Sequence, residues 1–364
     1  MSRVADYGYA NAKLRARIGS IRESKTIDDM IKAPNLVEAI NALKNTRHSH
    51  LVDVYDKTGD LQQVELALFS EEVETYKEVI KMLPGKNAAF VEVLLEKLEI
   101  ENLKNLMRMW YSEVVRHHSI KYRAGYLYRD DITCHIDAEA IINAPDYDTV
   151  LNAVKDSKYY DVLKGYSLQS ITSKGLFDLE IALDHLFFSD LFKAVERLDK
   201  ADRDIASSIY LMDMDLKNIL LLIRYGYYHE IDKEELKRVI IPYGYIYNAG
   251  VSHKLLSSDN AVSVLREIIG SRYGEVGDEI DRVRRMSDDI TTKSENADSI
   301  LHIEKFLSKV RETEYRKILS GDPLSIGVIL AYFFISNHED AKIRAILSAK
   351  LYKWSEAKIR EEVV

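Results

Sequence analysis

Two close pairs of histidines are the first residues whose type could bind a metal ion: His48 with His50, and His117 with His118. On a helix, side chains two residues apart point about 200° apart, and adjacent ones diverge by about 100°. Neither spacing gives the i, i+4 face that helical metal sites use. The single cysteine, Cys134, supplies neither a thiolate cluster nor an internal disulfide. We therefore expect these histidines to lie at the surface and to bind no metal.

Glycine-containing segments do not have the form of a nucleotide-binding loop. Pro84–Lys86 resembles part of a phosphate loop, but Asn87 follows where Ser or Thr is required, and no strand pattern precedes it. Gly270, Gly274 and Gly277 do not follow a strand in the way that a dinucleotide-binding turn does. We expect a loop at Pro84–Lys86, no cofactor and no direct nucleotide binding.

Residue types that could perform catalysis also lack a catalytic arrangement. Cys134 is followed by His135, but adjacency in sequence does not make a nucleophile–base pair, and no G-x-S-x-G motif occurs. Carboxylates are paired at Asp130–Asp131 and at Asp213 with Asp215. In an acidic helical chain such pairs usually belong to a solvated helix face, which is what we expect here. The sequence thus predicts a protein that is not itself an enzyme.

The elements that carry these residues form an internal repeat. Ala33–Leu51 aligns with Ala144–Val162 in its Ala-Pro start, its Asn-Ala pair and its following lysine, and the apolar positions between them match. A weaker third copy is Ala261–Tyr273. Collinear landmarks at one period are the sequence signature of repeat architecture. The chain therefore contains three copies of one unit.

Three further landmarks accompany each copy in the same order. They are Gly8-Tyr9, Gly125-Tyr126 and Gly244-Tyr245; then Glu65, Glu180 and Glu304; and last Leu103–Leu106, Leu216–Ile219 and Ala341–Ile343. The copies recur about every 115 residues, which is longer than the unit of a short-repeat solenoid and long enough for each to have its own core. We predict repeat units at residues 1–120, 121–235 and 236–364. The residues leave open whether the units stack in a row or close around an axis.

Each unit has the pattern of helices. Apolar residues recur at three-to-four spacing, as in Val37, Ile40 and Leu43, and no stretch alternates as a strand does. Pro34 and Pro145 are placed as first-turn prolines. The polar run 286–299 is the expected exposed connection. The fold class predicted is all-α.

A repeated Lys-Asn pair is the polar feature that the copies share, at Lys104-Asn105 and Lys217-Asn218. The third copy has Lys342 followed by Ile343 and, one residue later, Arg344. One reading is structural: the lysine extends its stem along apolar surface, and the asparagine satisfies local backbone. The other is a ring of partner-binding residues, one set per unit, consisting of Lys104, Asn105, Lys217, Asn218, Lys342 and Arg344.

Charge and hydropathy limit the partners. The net charge is −8, from 51 basic and 59 acidic residues, which argues against a nucleic-acid partner because phosphate attracts basic surfaces. Residues Met1–Arg17 lack the apolar core of a secretory signal. The longest apolar run, Ile326–Ile335, is about half the length that a membrane span needs. One cysteine is typical of a reducing compartment. We expect a protein that is soluble or at most peripheral to a membrane.

At four of its segments the chain resembles the C subunit of archaeal and bacterial V/A-type ATPases, which corresponds to the d subunit of the eukaryotic enzyme. The segments are YGYANAKLRAR at Tyr7–Arg17, ENLKNLMR at Glu101–Arg108, MDLKNILLLIR at Met214–Arg224 and IEKFL at Ile303–Leu307. The similarity runs from end to end. Two departures are the missing Asn in Ala341–Ile343 and Pro242–Gly244, where the family has a more Gly-rich turn.

The resemblance implies a funnel of three similar helical domains around a pseudo-three-fold axis. It implies a non-catalytic part of the central stalk on the cytoplasmic side of the membrane, which receives the rotating shaft (the D and F subunits) and sits on the proteolipid ring. Torque would cross it between ATP synthesis or hydrolysis and proton or sodium transport, and membrane contact would be through the ring. Two rival interpretations are a helical-repeat scaffold of another multi-subunit complex and an all-α enzyme with a site formed between units.

Overall fold

The computed structural model describes residues 3–119, 124–223, 238–248, 278 and 293–363. The helices of these residues confirm the all-α class, and none of the described segments is a strand. They are α1 Arg3–Glu23, α2 Thr26–Lys32, α3 Leu36–Asn41, α4 Ser49–Thr58, α5 Leu61–Lys81, α6 Gly85–Trp110, α7 Ala138–Ile142, α8 Tyr147–Ala153, α9 Tyr160–Leu163, α10 Leu168–Lys174, α11 Phe177–Glu196, α12 Lys200–Ile223, α13 Tyr245–Asn248, α14 Lys293–Leu319, α15 Ile326–Leu351 and α16 Glu356–Val363. None of them is long and apolar enough to cross a membrane.

Two compact units divide the chain: Met1–Leu198 together with Leu324–Val364, and Asp199–Pro323. In the first unit the last long helix, α15, packs on α1, α3 and α5 near the start of the chain. Also in the first unit, α6 packs on α5, α7 and α11. In the second unit α12 packs on α13 and α14. The division at residues 120 and 235 stays a prediction.

The core beside α15 combines residues that are far apart in sequence. Its buried members come from α2–α5 and from α15–α16: Met30, Ile31, Ala39, Ile40, Leu43, Leu51, Val52, Leu61, Val64, Leu68, Ile343, Ile346, Leu347, Ala349 and Ile359. Val37 was expected on this face, but it is exposed. Burying apolar surface is the main favourable term in folding, so the C-terminal helices are part of the first repeat's core.

The first two repeat copies begin their helices in the same way. Asn35 Oδ1 accepts a hydrogen bond from the Glu38 amide at 2.9 Å, and Asp146 Oδ1 accepts one from the Thr149 amide at 2.8 Å. These are N-caps, in which a side-chain oxygen satisfies an amide of the first turn. The prediction for Pro34 and Pro145 is therefore wrong by two positions, because each precedes its N-cap rather than following it.

Two loop predictions also need correction. Gly85 and Lys86 are not in a loop, because α6 begins at Gly85 with Pro84 as its N-cap. The polar run 286–299 is not a connection throughout, because residues 293–299 belong to α14. The rest of that run, the third repeat copy at 261–273 and the three glycines at 270, 274 and 277 lie outside the described residues.

Candidate functional site

The first two repeat copies share a tight turn, which we call the corner: Thr46–His48 in the first copy and Ser157–Tyr159 in the second. Thr46 Oγ1 donates to the Leu43 carbonyl at 2.8 Å and accepts from the His48 amide. Ser157 Oγ donates to the Val154 carbonyl at 2.8 Å and accepts from the Tyr159 amide. Local side-chain-to-backbone bonds of this kind fix a turn where a helix is interrupted. The hydrogen bonds that form this turn therefore match in the first two repeat copies.

The first corner points two cationic side chains at α15. Arg47 Nη2 lies 2.7 Å from Asp340 Oδ1 and 3.0 Å from Glu339 Oε2, and its Nη1 donates to Ser336 Oγ. His48 is 1% exposed. Its Nδ1 lies 2.8 Å from an oxygen of Glu71 on α5, and its Nε2 lies 3.5 Å from Asp340 Oδ1. The corner thus joins α5 to α15 through a buried ionic cluster.

Burial and opposite charges together set the protonation of this cluster. Burial alone would lower the pKa of His48, but its contacts with Glu339 and Glu71 outweigh burial and raise the pKa to about 9. Burial raises the pKa of Asp340 to about 7, despite the attraction of Arg47 and His48. His48 is therefore a cation at neutral pH.

His48, Glu339 and Asp340 have the residue types of a metal site, with one ligand atom each within 4.8 Å of the others. A metal would have to displace a proton from His48, however, because a metal ligand is a neutral imidazole and the contacts of His48 raise its pKa to about 9. Arg47 also donates to the same oxygens of Glu339 and Asp340. The guanidinium already supplies the positive charge that a metal would bring, so these residues fit an internal ionic cluster.

The second corner makes the matching contact with α6. Lys158 Nζ is paired with Glu96 on α6 and lies 3.0 Å from Asp190 on α11. The Tyr159 hydroxyl donates to Glu99 Oε2 at 2.7 Å. In both repeats, then, a basic residue followed by a ring fastens the corner to one long helix and its neighbour.

The predicted partner-binding residues of α6 have different surroundings. Lys104 is buried, and its ammonium group is paired with Asp184 on α11. Asn105 is exposed, and its side-chain oxygen accepts from Arg108 at 3.3 Å. Arg108 forms a two-pronged ion pair with Glu180. Lys104 therefore braces α6 against α11, while Asn105 is accessible.

The predicted partner-binding residues on α15 are half-buried. Lys342 and Arg344 are both partly exposed, and Arg344 Nη2 lies 3.7 Å from Glu72 Oε2 on α5. Burial raises the pKa of Glu72, although Arg344 opposes that shift. Arg344 thus adds a second link between α5 and α15, beside the first corner.

Of the predicted partner-binding residues on α12, Asn218 forms hydrogen bonds with a neighbouring segment of the chain. Asn218 is fully buried; its amide donates to the Ile241 and Tyr243 carbonyls, and its oxygen accepts from the Ile241 amide at 2.9 Å. Lys217 is half-buried. The surroundings of Asn218 match the structural reading of the Lys-Asn pair. The three sets lie on α6, α12 and α15, and their contact with a partner stays a prediction.

Asp215 and Asp213 are not on a solvated face, so that expectation is wrong for this pair. Asp215 is buried and accepts from the Ile246 amide at 2.8 Å, while Asp213 pairs with Arg311 on α14 at 2.7 Å. Both carboxylates connect α12 to other parts of the second unit. Asp130 and Asp131, by contrast, are exposed as expected.

Replacing Gly244 with alanine should destabilise the second unit by about 2–4 kcal/mol. Gly244 has φ +98°, and a Cβ there would lie 2.3 Å from Asp215 Oδ1, so Asp215 would lose its bond to Ile246. Gly125→Ala is the matched control from the same repeat landmark, since its Cβ would meet nothing within 4 Å. Urea unfolding of both variants measures the difference. Equal midpoints for the two would contradict the role of Gly244.

The chain is similar in sequence to a known protein family. The model of the family described as ATP synthase (C/AC39) subunit matches residues 10–362. The chain belongs to this family. Its curated relatives include the C subunit of the A-type ATP synthase of Pyrococcus horikoshii, 23% identical over 98% of this chain and 89% of the relative. Another is the equivalent protein of Methanocaldococcus jannaschii, 22% identical over 99% of this chain and 87% of the relative.

The sequence analysis did not predict the first corner or its ionic contacts. It placed His48 at the surface, which is wrong because His48 is buried between α5 and α15; His117 and His118 are exposed as expected. The repeat alignment contained a signal for this turn, because Thr46 aligns with Ser157 and Arg47 aligns with Lys158. A hydroxyl followed by a base in both copies indicates a shared structural turn rather than a free surface.

Cys134 contacts the carboxylate of Glu99. Its amide donates to Glu99 Oε1 at 2.9 Å, and its thiol lies 3.5 Å from Glu99 Oε2. Burial and the nearby Glu99 raise the pKa of the thiol to about 12. Because the thiolate is the reactive form of cysteine, this shift lowers the fraction of reactive thiolate at neutral pH.

Proposed function

We propose that this chain is a non-catalytic component of the central stalk of a V/A-type rotary ATPase. In this proposal it is a socket that couples the rotating shaft, made of the D and F subunits, to the membrane proteolipid ring. It transmits torque for proton or sodium transport linked to ATP synthesis or hydrolysis. The observation that carries the proposal is the family match over residues 10–362, together with relatives named as the C subunit of A-type ATP synthases that align over nearly their whole length.

Cross-braced long helices support a torque-bearing role. Three pairs of long helices are tied by ionic contacts as well as by packing: α5 to α15 at Arg344, α6 to α11 at Lys104 and Arg108, and α12 to α14 at Arg311. Packed interiors have low compressibility and transmit strain. A part that passes torque needs such stiffness, because a soft connector would store the motion instead of transmitting it.

The same proposal includes three similar helical domains around a pseudo-three-fold axis, with a funnel as the proposed shape, as the family resemblance implies. The helix that ends the first repeat, α6, packs on α7 and α11 of the second, and α12, which ends the second, packs on α13 and α14 of the third. The helix that ends the third, α15, packs on α1 and α5 of the first. These contacts lie within one or the other compact unit, and they support the proposal that neighbouring repeats pack through their last helices.

The site on the complex follows from the same proposal. We place the chain on the cytoplasmic side of the membrane, in contact with the ring rather than with lipid, and without nucleotide or nucleic acid of its own. Lys104, Asn105, Lys217, Asn218, Lys342 and Arg344 remain the proposed partner-binding set. Within it, the exposed Asn105 and the half-buried Lys342 are the members best placed to touch another protein of the complex.

Reconstitution with tagged shaft and ring proteins in mild detergent tests the proposal. We expect the chain to co-purify with both, and its removal to leave ATP hydrolysis by the head while uncoupling it from ion transport. Failure to bind either partner would support the alternative, a helical-repeat scaffold of another complex. Loss of hydrolysis itself would contradict a purely mechanical role.

A charge reversal tests the proposed partner-binding set. Lys342→Glu should weaken binding to the shaft and ring proteins about three- to tenfold, the range for one interfacial charge. Lys44→Glu is the matched control, because Lys44 is an exposed lysine outside the set. Binding is measured by titration of the purified partners at fixed salt. Equal affinities for the two variants would remove Lys342 from the set.

A further inference from the structure

The ionic cluster at the first corner, which we call the latch, consists of Arg47, His48, Glu71, Glu339 and Asp340. It joins the start of the chain to its C-terminal helices. His48 is central, because one ring nitrogen faces Glu71 on α5 and the other faces both carboxylates of α15. The Nε2 atom makes no regular hydrogen bond among the described residues. His48 Nδ1 is thus held by a hydrogen bond to Glu71, while Nε2 is held by the charge of the two α15 carboxylates.

Charged and titratable groups face the latch from every element packed around it. They are His50 on α4; Glu72 and Tyr76 on α5; Tyr332 and Arg344 on α15; and Arg17 on α1, which pairs with Glu78 of α5. The three carboxylates of the latch face two cations, Arg47 and protonated His48. Loss of the His48 proton leaves Arg47 alone against them, in a buried setting where unbalanced charge is costly.

Protons can reach this cluster from water. An open cleft of about 930 Å³ lies between α1, α5 and α15, and Arg47, Glu71 and Glu339 are among the residues that line it. The His48 ring contacts two of these lining residues, Glu71 and Glu339. The cluster is therefore buried enough to be sensitive to charge and close enough to solvent to exchange protons.

We propose that the latch is a pH-sensitive contact. Proton uptake by the latch keeps α15 attached to α5 and to the first corner, and proton loss weakens that attachment. This inference does not depend on the proposed function. It assigns to the junction between the first repeat and the C-terminal helices a response to pH.

Attachment of α15 depends on pH in the same direction for both groups whose pKa values are strongly shifted, His48 and Asp340. The pKa of His48 rises from 6.5 to about 9, so its contribution is complete below about pH 6.5 and is lost as pH rises through about 9. The pKa of Asp340 rises from 3.8 to about 7, so its contribution is lost as pH rises through about 7. The attached state binds more protons than the detached state throughout this range. Attachment therefore weakens between about pH 6 and 9.

Hydrogen exchange of the full-length protein tests the latch. Amide protection of α15 is measured relative to α11 in the same sample between pH 6.5 and 9, which cancels the intrinsic pH dependence of exchange. We expect the relative protection to fall at least about tenfold, the change that one pKa unit produces. The double variant H48Q/D340N should show a pH-independent ratio, and each single variant a reduced slope.

The control is His135→Gln, which removes an exposed histidine paired with Asp131 and should keep the wild-type slope. A flat wild-type profile would overturn the proposal, and so would a double variant that keeps the slope. If the double variant does not fold, the wild-type profile and H48Q decide the matter. Zn²⁺ that restores protection at pH 9 in the wild type but not in H48Q would also overturn it, by identifying a metal site.

Discussion

Deletion of residues 324–364 is expected to unfold the first repeat, although the deleted helices are far from it in sequence. The segment contributes a large set of buried apolar side chains: Ile326, Val328, Ile329, Leu330, Ala331, Tyr332, Phe333, Ile343, Ile346, Leu347, Ala349 and Ile359. Each large side chain contributes about 1.5–3 kcal/mol when buried. Their sum exceeds the total stability of a typical domain, about 5–15 kcal/mol. Hydrogen exchange in α3–α5 measures the loss.

A shorter deletion is the control for this experiment. Removal of α16 alone, Glu356–Val363, takes away one fully buried side chain, Ile359, and should cost only about 2–3 kcal/mol. Adding a separate peptide of residues 324–364 to the long deletion should restore protection in α3–α5. Wild-type protection without the peptide would show that the first repeat folds without its C-terminal helices.

Glu99→Ala is expected to destabilise the first unit by about 3–5 kcal/mol. Glu99 is 2% exposed, and it accepts hydrogen bonds from the amides of Thr133 and Cys134 at 2.8 and 2.9 Å, besides those from the Tyr159 and Thr133 hydroxyls. The alanine would leave these buried donors without an acceptor, which costs about 1–3 kcal/mol for each strictly buried group. Urea unfolding gives the change.

Glu101→Ala is the matched control, since Glu101 lies on the same helix, is half-buried and, within the described part of the chain, has a single ion-pair contact, with Lys104 at 3.6 Å. It should change stability by less than about 0.5 kcal/mol. Glu99→Gln should be intermediate, because it keeps one acceptor oxygen but places an amide NH₂ among donors. A Glu99→Ala effect no larger than that of Glu101→Ala would contradict the proposed role of the carboxylate.

Helix class and repeat register could be predicted because both depend on local patterns. Apolar spacing and scarce breakers indicate helices without tertiary information, and the aligned segments Ala33–Leu51 and Ala144–Val162 begin with the same capping geometry. The Lys-Asn landmark lies on the long helices α6 and α12. What the pattern did not supply was which helix each polar side chain would face.

The buried polar groups were misjudged for a physical reason. A charged residue is exposed unless a specific partner compensates its burial, so His48 and Asp215 were assigned to the surface. Their partners, Glu339 and Asp340 for His48 and the Ile246 amide for Asp215, come from distant parts of the chain. Pairing across such distances is decided by how helices pack, and no sequence period encodes it.

The packing of α15 on the first repeat has a consequence for synthesis. A ribosome makes α1–α5 first, then about 240 further residues before it reaches Leu324, and at about 5–20 residues per second that interval lasts about 12–50 s. Throughout it, the faces of α1, α3 and α5 that later receive α15 have no partner. The nascent chain therefore exposes this apolar surface for longer than most small domains do. We expect chaperones that bind exposed apolar surfaces to bind the first repeat during translation.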